Sequence, residues 1–172
     1  ELLHAVLNEI RAVVPFDLAV VLRRTPNHRS HATVQDIMSA GPAAITKGTR
    51  LDCSGAVIEK VFKQENSLLI ESNTYLAHPA DRKVLGNRAY GTYLLTPLKT
   101  DGTVNGVLAL AVYGENQLEA AKGPVNWIAN GLSLAIERNR LSEAVAKRSQ
   151  ELETIQRIGS ALASSTFDIN KV

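Results

Sequence analysis

Residues 92–113, TYLLTPLKTDGTVNGVLALAVY, hold two apolar runs on either side of a short polar turn. The turn contains Asp101-Gly102, and an Asp-Gly pair between apolar runs is typical of a β-hairpin, because both residues tolerate the positive φ that tight hairpin turns require. The sequence therefore predicts paired strands over residues 92–98 and 104–113. This hairpin is the strongest strand prediction in the chain.

More helices and strands are predicted on the N-terminal side of this hairpin. An apolar stripe at three- and four-residue steps predicts a helix over residues 2–14, and Pro15 ends it. Residues 17–24 and 32–40 flank a turn-forming cluster and predict a second hairpin. Residues 67–70 predict one more short strand.

Two irregular segments separate these elements. Residues 41–50 contain Gly and Pro without apolar periodicity and predict a loop. Residues 71–90 have mixed charge and little periodicity, and an irregular stretch of this length inside a compact domain is usually functional or mobile. Between the two segments a helix is predicted, with Asp52 or Ser54 as the residue that caps its N-terminus. The apolar face of that helix consists of Val57, Ile58, Val61 and Phe62.

The last helix has two apolar stripes that follow one another. Gly123-Pro124 marks its start, because proline in the first turn loses no hydrogen bond. At about 100° per residue, Leu134 points roughly 200° away from Leu132, so the helix must bury two opposite faces in succession. The second stripe has the alternating spacing of a coiled coil, interrupted by Arg138, Arg148 and Gly159, which favours an adjustable parallel dimer. The first stripe is Val125, Ile128, Ala129, Leu132, Ala135 and Ile136, and the second is Leu134, Leu141, Val145, Leu152, Ile155 and Leu162.

The composition excludes several classes of protein. The chain has 172 residues, 45% of them hydrophobic and 21% charged, with a net charge of +2. So small an excess gives no reason to expect nucleic acid as a partner. The single cysteine, Cys53, excludes an intrachain disulfide and an all-cysteine metal site.

No leader pattern is found, and no apolar run approaches the roughly 18 residues of a membrane span, so we expect no membrane span and a cytoplasmic location. The chain begins with Glu1 and its only methionine is Met38. We therefore expect it to be a piece of a longer protein.

The order of these elements resembles a GAF domain, a small-molecule-sensing module of bacterial signalling proteins. The resemblance runs from about Leu2 to Leu141. It is carried by LLHAVLNEIRAVVPF at residues 2–16, GTRLDCSGAVIEKVFKQENSLLIES at 48–72, TPLKTDGTVNGVLALAVY at 96–113, and IANGLSLAIERNRL at 128–141.

The resemblance implies an α+β, GAF/PAS-like fold. Its central antiparallel sheet has five or six strands, with the N- and C-terminal helices packed on one face and connecting loops and short helices on the other, followed by a long C-terminal signalling helix. The ligand of such a domain lies between the sheet and the connections. Here these are residues 41–54 and 71–90.

We expect three segments along the chain. A GAF sensor domain occupies residues 1–136, a coiled-coil signalling helix residues 137–160, and the start of a following domain residues 161–172. The tail, LETIQRIGSALASSTFDINKV at 152–172, resembles the entry helix of a second GAF domain. A plain amphipathic tail is the alternative for this segment.

Five residues are candidates for the ligand pocket: Cys53, His78, Arg82, Tyr90 and Tyr93. Arg82 offers a partner for a carboxylate or phosphate, as does Arg88, and the tyrosines offer rings for stacking. A place near a helix N-terminus could lower the pKa of Cys53 and make it reactive, whereas a buried structural cysteine is the alternative. Each of the others is equally consistent with an ordinary surface or core residue.

The cofactors known in GAF domains are mostly disfavoured. Bilin attachment in the phytochrome-like members uses a Cys-His pair, and Ser54 follows Cys53 here. The Asn-Lys, Phe, Asp-Glu motif of the cyclic-nucleotide-binding members is missing. His78 leaves haem ligation open, against an exposed loop histidine as the alternative. We expect no metal site at His28 and His31, since only distant carboxylates accompany them.

The expected function is regulatory. Nucleotide-binding, hydrolase and metalloprotease motifs are missing, and a GAF-type methionine sulfoxide reductase needs several cysteines, so this part of the chain is not expected to be an enzyme. We expect a GAF sensor of a larger bacterial signal-transduction protein, a sensor histidine kinase. Its signal would pass to an output domain in the same chain through a homodimer formed by Leu134, Leu141, Val145, Leu152 and Ile155. The alternative is a ligand-free GAF dimerisation module of a diguanylate cyclase or transcriptional activator.

Overall fold

The computed structural model describes residues 2–26, 28–71, 77–86, 90–114 and 118–168. It confirms the α+β fold with one central six-stranded sheet. In chain order the elements are α1 (Leu2–Val13), β1 (Leu18–Thr25), β2 (His28–Ser39), β3 (Arg50–Asp52), α2 (Val57–Gln64), β4 (Leu68–Glu71), α3 (Pro79–Leu85), β5 (Thr92–Thr100), β6 (Thr103–Val112) and α4 (Lys122–Asp168).

The sheet is antiparallel throughout, in the order β3-β2-β1-β6-β5-β4. The predicted β5–β6 hairpin is confirmed, and its turn residues Asp101 and Gly102 both have positive φ, at 51° and 75°. Strands β1 and β6 come together at the centre, with Val20 opposite Ala109. Gly106 permits this close approach, because a Cβ atom there would collide with the carbonyl oxygen of Leu22.

Both faces of the central strands are buried, which explains why β1 and β6 are nearly continuous apolar runs. Because successive side chains in a strand point to opposite faces, Val20 and Ala109 share one face and Val21 and Leu108 the other. The first face forms one core cluster with α2 and α3, which includes Ile58, Phe62 and Val84. The second is covered by α1 and the start of α4, whose buried side chains are Leu7, Ile10, Val14, Val125, Ala129 and Leu132.

Helix α4 belongs to two compact units, Glu1–Leu134 and Ala135–Val172. In the first unit Leu132 is 1% exposed and Leu134 is 64% exposed, which confirms that the two residues face opposite ways. In the second unit the side chains described for residues 140–163 are all exposed. None of the helices within the described ranges has the length and apolar character needed to cross a membrane.

Two elements were not predicted. Strand β3 has only three residues and pairs with β2 at Ala32 and Leu51, so its sequence is too short to show a period. Helix α3 lies within residues 71–90, which were expected to be irregular. That segment is therefore partly helical, and residues 72–76 and 87–89, including Arg88, lie outside the described residues.

Candidate functional site

A cavity of about 270 Å³ lies on the sheet face that carries α2 and α3. Its floor comes from β1 and β2 through Leu18 and Ile37, and its walls from residues 41–45, from α3, and from two tyrosines that flank the β5–β6 hairpin. Sheet, loop and helix thus border it within the first unit, and it opens to solvent beside the exposed residues 41–44 and Lys83. The lining residues are Leu18, Ile37, Gly41, Pro42, Ala43, Ala44, Ile45, Lys83, Val84, Gly86, Tyr90 and Tyr113.

The loop wall of the cavity follows from its sequence, Gly41-Pro42-Ala43-Ala44-Ile45. Four small or compact side chains leave open space next to the sheet, while Ile45, only 5% exposed, anchors the loop in the core. The loop begins where the Ser39 hydroxyl accepts a hydrogen bond from the Gly41 amide at 3.3 Å. The cavity is thus a gap left by small residues between well-packed neighbours.

Three tyrosines form an aromatic cluster at the cavity. The rings of Tyr90 and Tyr113, which both line it, have centroids 4.7 Å apart and are tilted by 33°. Tyr93 of β5 meets Tyr90 edge to face at 6.1 Å. Such tilted and edge-on pairs are favourable because the positive ring edge meets the negative ring face.

Tyr90 and Tyr93 are buried, at 8% and 2% exposure, whereas Tyr113 is 57% exposed. Burial raises the pKa of Tyr90, while hydrogen bonding from Ser39 opposes the rise. Burial also raises the pKa of Tyr93, while the backbone amide of Tyr90 acts to lower it. Within the described residues, the buried Tyr93 Oη has no acceptor for its proton in hydrogen-bonding geometry. A buried hydroxyl without an acceptor costs free energy. Tyr93 therefore places an unsatisfied polar group next to Tyr90, which lines the cavity.

Gly86 lets the Tyr90 ring pack closely at the end of α3. Its φ of 76° and ψ of 159° lie in a region that is essentially restricted to glycine. A Cβ atom there would also lie 3.0 Å from Cε2 of Tyr90. Glycine at this position therefore both ends α3 and keeps the aromatic wall in place.

A carboxylate from α3 fixes this helix to α2. Asp81 is 1% exposed, and its oxygens accept hydrogen bonds from the backbone amides of Val57 at 2.8 Å and Ile58 at 3.3 Å. These amides belong to the first turn of α2, where no intrahelical partner exists. Burial raises the pKa of Asp81, and the two amides oppose that rise. Asp81 thereby holds α3, and with it one wall of the cavity, against α2.

The prediction that Asp52 or Ser54 caps α2 is wrong. The residue at the N-cap position is Ala56, and it makes no side-chain capping bond. Asp52 instead accepts from the amide and hydroxyl of Ser54 at 2.9 and 2.6 Å, which lowers the pKa of Asp52. The α2 amides are bound by Asp81, from 24 residues further along the chain.

Glu59 adds a second polar connection at the start of α2. Its carboxylate accepts from the Gly55 amide at 2.8 Å and the Ser30 hydroxyl at 2.9 Å, and pairs with Lys63 at 3.0 Å. These interactions, led by the Gly55 amide, lower the pKa of Glu59 to about 2. Glu59 therefore joins α2 to strand β2.

Cys53 is placed in the core rather than in the cavity. It is 0% exposed, and burial, reinforced by the carboxylates of Asp81, Asp52 and Glu59, raises the pKa of its thiol to about 12. A lowered pKa and a reactive thiol were one interpretation of its position, and the structure contradicts it. Cys53 is a structural core residue.

The other candidate pocket residues are placed differently from one another. Tyr90 lines the cavity, and Tyr93 packs against it. His78 is the N-cap of α3, where its Nδ1 accepts from the Ala80 amide at 3.2 Å, and Arg82 is exposed on the same helix. Neither His78 nor Arg82 belongs to the cavity lining.

Several lining residues were not found from the sequence. Lys83, Val84 and Tyr113 carry no local pattern that separates them from ordinary helix and strand residues. The two irregular segments were the only signal for the site, since the cavity draws residues 41–45 from one and Lys83, Val84, Gly86 and Tyr90 from the other. No group of three or more His, Cys, Asp or Glu residues suited to a metal occurs in the parts of the chain described above.

The predicted signalling stripe is an exposed apolar face. Leu134 ends the first unit, and in the second unit Leu141 and Leu152 are about half exposed, at 51% and 52%. Val145 and Ile155 are more exposed, at 68% and 64%. Within the described part of the chain these side chains are left exposed, and their heptad spacing is that of residues that pack against a second helix.

Known proteins place the chain in a family. The sequence model of the GAF domain matches residues 1–131. No curated protein matches the sequence. Among solved structures, the GAF domain of a two-component sensor histidine kinase from Bacillus halodurans has a TM-score of 0.66 at 12% identity, over 81% of this chain and 94% of that one.

Two further structures show the range of proteins with this fold. The GAF domain from an Acinetobacter phosphoenolpyruvate-protein phosphotransferase has a TM-score of 0.61 at 17% identity, over 78% of this chain and 79% of that one. A type II free methionine-R-sulfoxide reductase from Thermoplasma acidophilum has 0.60 at 9% identity, over 78% and 89%. At these identities the likeness shows the fold alone. Because the family model covers most of the chain, the chain belongs to the GAF domain family.

Proposed function

We propose that this GAF domain is the regulatory, small-molecule-sensing part of a larger bacterial signal-transduction protein. The observation that carries the proposal is the cavity of about 270 Å³ between the sheet, residues 41–45, and Lys83, Val84, Gly86 and Tyr90. Ligand sites are typically concave and mostly apolar with a few polar groups, and this lining has that character. The region is proposed to be cytoplasmic and to be regulatory rather than catalytic. Burial of Cys53, the single cysteine of the sequence, argues against a cysteine-dependent reductase.

A sensor histidine kinase is the parent we propose. The GAF domain of such a kinase from Bacillus halodurans shares the fold over 81% of this chain. The output domain would lie in the same polypeptide, beyond the long helix. Residues 137–160 would then form the signalling helix and residues 161–172 the beginning of a following domain such as a second GAF domain.

Transmission would run through a parallel homodimer of α4. Leu141, Val145, Leu152 and Ile155 are all more than half exposed in the single chain. Burying a side chain of this kind stabilises an assembly by about 1.5–3 kcal/mol, so a face of several such residues favours association. Arg138, Arg148 and Gly159 interrupt the stripe and would keep the register of the dimer adjustable.

Ligand sensing is tested by thermal unfolding across a panel of small metabolites. A ligand that binds only the folded state raises Tm with its concentration. We expect at least one compound to raise Tm in the wild type and to lose that effect in Ala44→Phe, which fills the cavity. The matched control is Ala120→Phe, at an exposed position away from the lining. A compound that acts equally on wild type and Ala44→Phe would place the ligand elsewhere.

The second candidate function is a dimerisation module without a ligand. The exposed stripe of α4 favours it independently of the cavity. Sedimentation of the double variant Leu141→Asp/Leu152→Asp tests the stripe, with Ala146→Asp/Gln150→Asp, at exposed positions on the far side of the helix, as the control. We expect the first pair to give monomers and the second to leave the dimer intact. A dimer that survives the first pair would remove this role from α4.

A further inference from the structure

The charge of the cavity lining is strongly one-sided. Lys83 is the one charged residue among the twelve residues that line the cavity. Lys83 is exposed, and it makes no ion pair or hydrogen bond with any other described residue. Asp17 lies outside the lining, and its carboxylate accepts from the Tyr113 amide at 2.8 Å.

The remainder of the lining is apolar and aromatic. Leu18, Ile37, Ile45 and Val84 supply aliphatic surface. Tyr90 and Tyr113 add two rings with a polar edge. An apolar cavity with one cationic side chain favours a ligand with one negative charge. A second charge on the ligand would lose its hydration without gaining a charged partner.

The volume of the cavity matches a small ligand. A water molecule occupies about 30 Å³ in the liquid, so the cavity holds on the order of nine non-hydrogen atoms. One six-membered ring with a carboxylate fills this space.

We propose that this cavity binds a small monocyclic carboxylate, with the carboxylate paired to Lys83 and the ring against the aliphatic floor and the tyrosines. This inference rests on the proposed function, because it names the ligand class of the same cavity. Lys83 would recognise the charge through a charge-assisted hydrogen bond. Tyr90 and Tyr113 would contact the ring in offset or edge-on geometry.

Calorimetric titration with benzoate and with its neutral analogue benzamide tests the ligand class. We expect benzoate to bind the wild type at least about tenfold more tightly than benzamide, which corresponds to one charge-assisted contact. Lys83→Met should remove that preference, and Lys83→Arg should retain it. Lys60→Met, on α2 and outside the lining, is the matched control and should leave both affinities unchanged.

The outcomes separate this inference from the proposed function. Equal binding of benzamide and benzoate, both lost in Ala44→Phe, would overturn the carboxylate class and leave the cavity as a ligand site. A benzoate preference that survives Lys83→Met would overturn the role of Lys83. Failure of both compounds to bind would overturn the class, and the metabolite panel would then decide whether the proposed function falls with it.

Discussion

Replacement of Asp81 by alanine is expected to destabilise the domain and to loosen one wall of the cavity. Asp81 is 1% exposed and binds the first two amides of α2 from a position on α3. Alanine would leave both amides without that acceptor, and the Ile58 amide is buried. The two helices would then lose their polar connection.

The expected size follows from the two hydrogen bonds. A hydrogen bond to a charged group contributes about 1.5–3 kcal/mol, and Asp81→Ala removes two of them. The variant no longer buries a carboxylate, and this gain offsets part of the lost stability. We expect a net loss of about 2–3 kcal/mol, or a Tm lower by about 5–10 °C for a chain of this length. Asp81→Asn keeps one acceptor oxygen and should lose about half as much.

Urea unfolding followed by far-UV circular dichroism measures this difference, and Asp52→Ala is the control. Asp52 is exposed and its carboxylate accepts only from Ser54 within the described part of the chain, so its replacement should leave the free energy of unfolding nearly unchanged. The reasoning would be refuted if Asp52→Ala destabilised the protein as much as Asp81→Ala. The cap of α2 would then be local, as the sequence pattern suggested.

Three further predictions concern Glu59, Cys53 and Gly86. The pKa of Glu59 is lowered from 4.5 to about 2, so its contribution is present above pH 4.5 and is lost as the pH falls toward 2. Glu59→Gln should therefore be about 1–2 kcal/mol less stable than wild type at pH 7, and urea unfolding at pH 3 should show a smaller difference. The thiol of Cys53, with its pKa near 12, should not react with a disulfide reagent in the folded protein but should react fully in urea, and rapid reaction without urea would contradict its burial. Gly86→Ala should cost about 1–3 kcal/mol and weaken ligand binding by displacing Tyr90. Gly48→Ala, at a φ of 86° with no neighbour within 4 Å, should cost stability but leave binding unchanged, and equal effects on binding would exclude displacement of Tyr90 as the cause.

Local patterns were sufficient for most of the fold. The Asp-Gly turn specified the β5–β6 hairpin, and the spacing of Leu132 and Leu134 specified a change of face, which their exposures of 1% and 64% confirm. These features depend on residues within one turn of helix or one strand pair. A periodic sequence therefore predicts them directly.

The site depends on contacts between distant segments, and there the sequence was less informative. Val57 and Asp81 are 24 positions apart, and a local acceptor at Asp52 matched the capping pattern equally well. Lys83 and Tyr113 reach the cavity only because α3 and the end of β6 meet the same loop. Contacts between segments so far apart leave no period or motif in a single sequence. Tyr90 was therefore the one predicted candidate that lines the cavity.

The central claim is that the cavity between the sheet and residues 41–45 is the ligand site. Methyl NMR spectra, recorded during titration with the compound that raises Tm most, test it directly. We expect the methyl signals of Ile37, Ile45 and Val84 to shift and saturate together, while that of Ile10, which is buried on α1 at the opposite face of the sheet, stays in place. Saturable binding that leaves those three signals unchanged would contradict the claim.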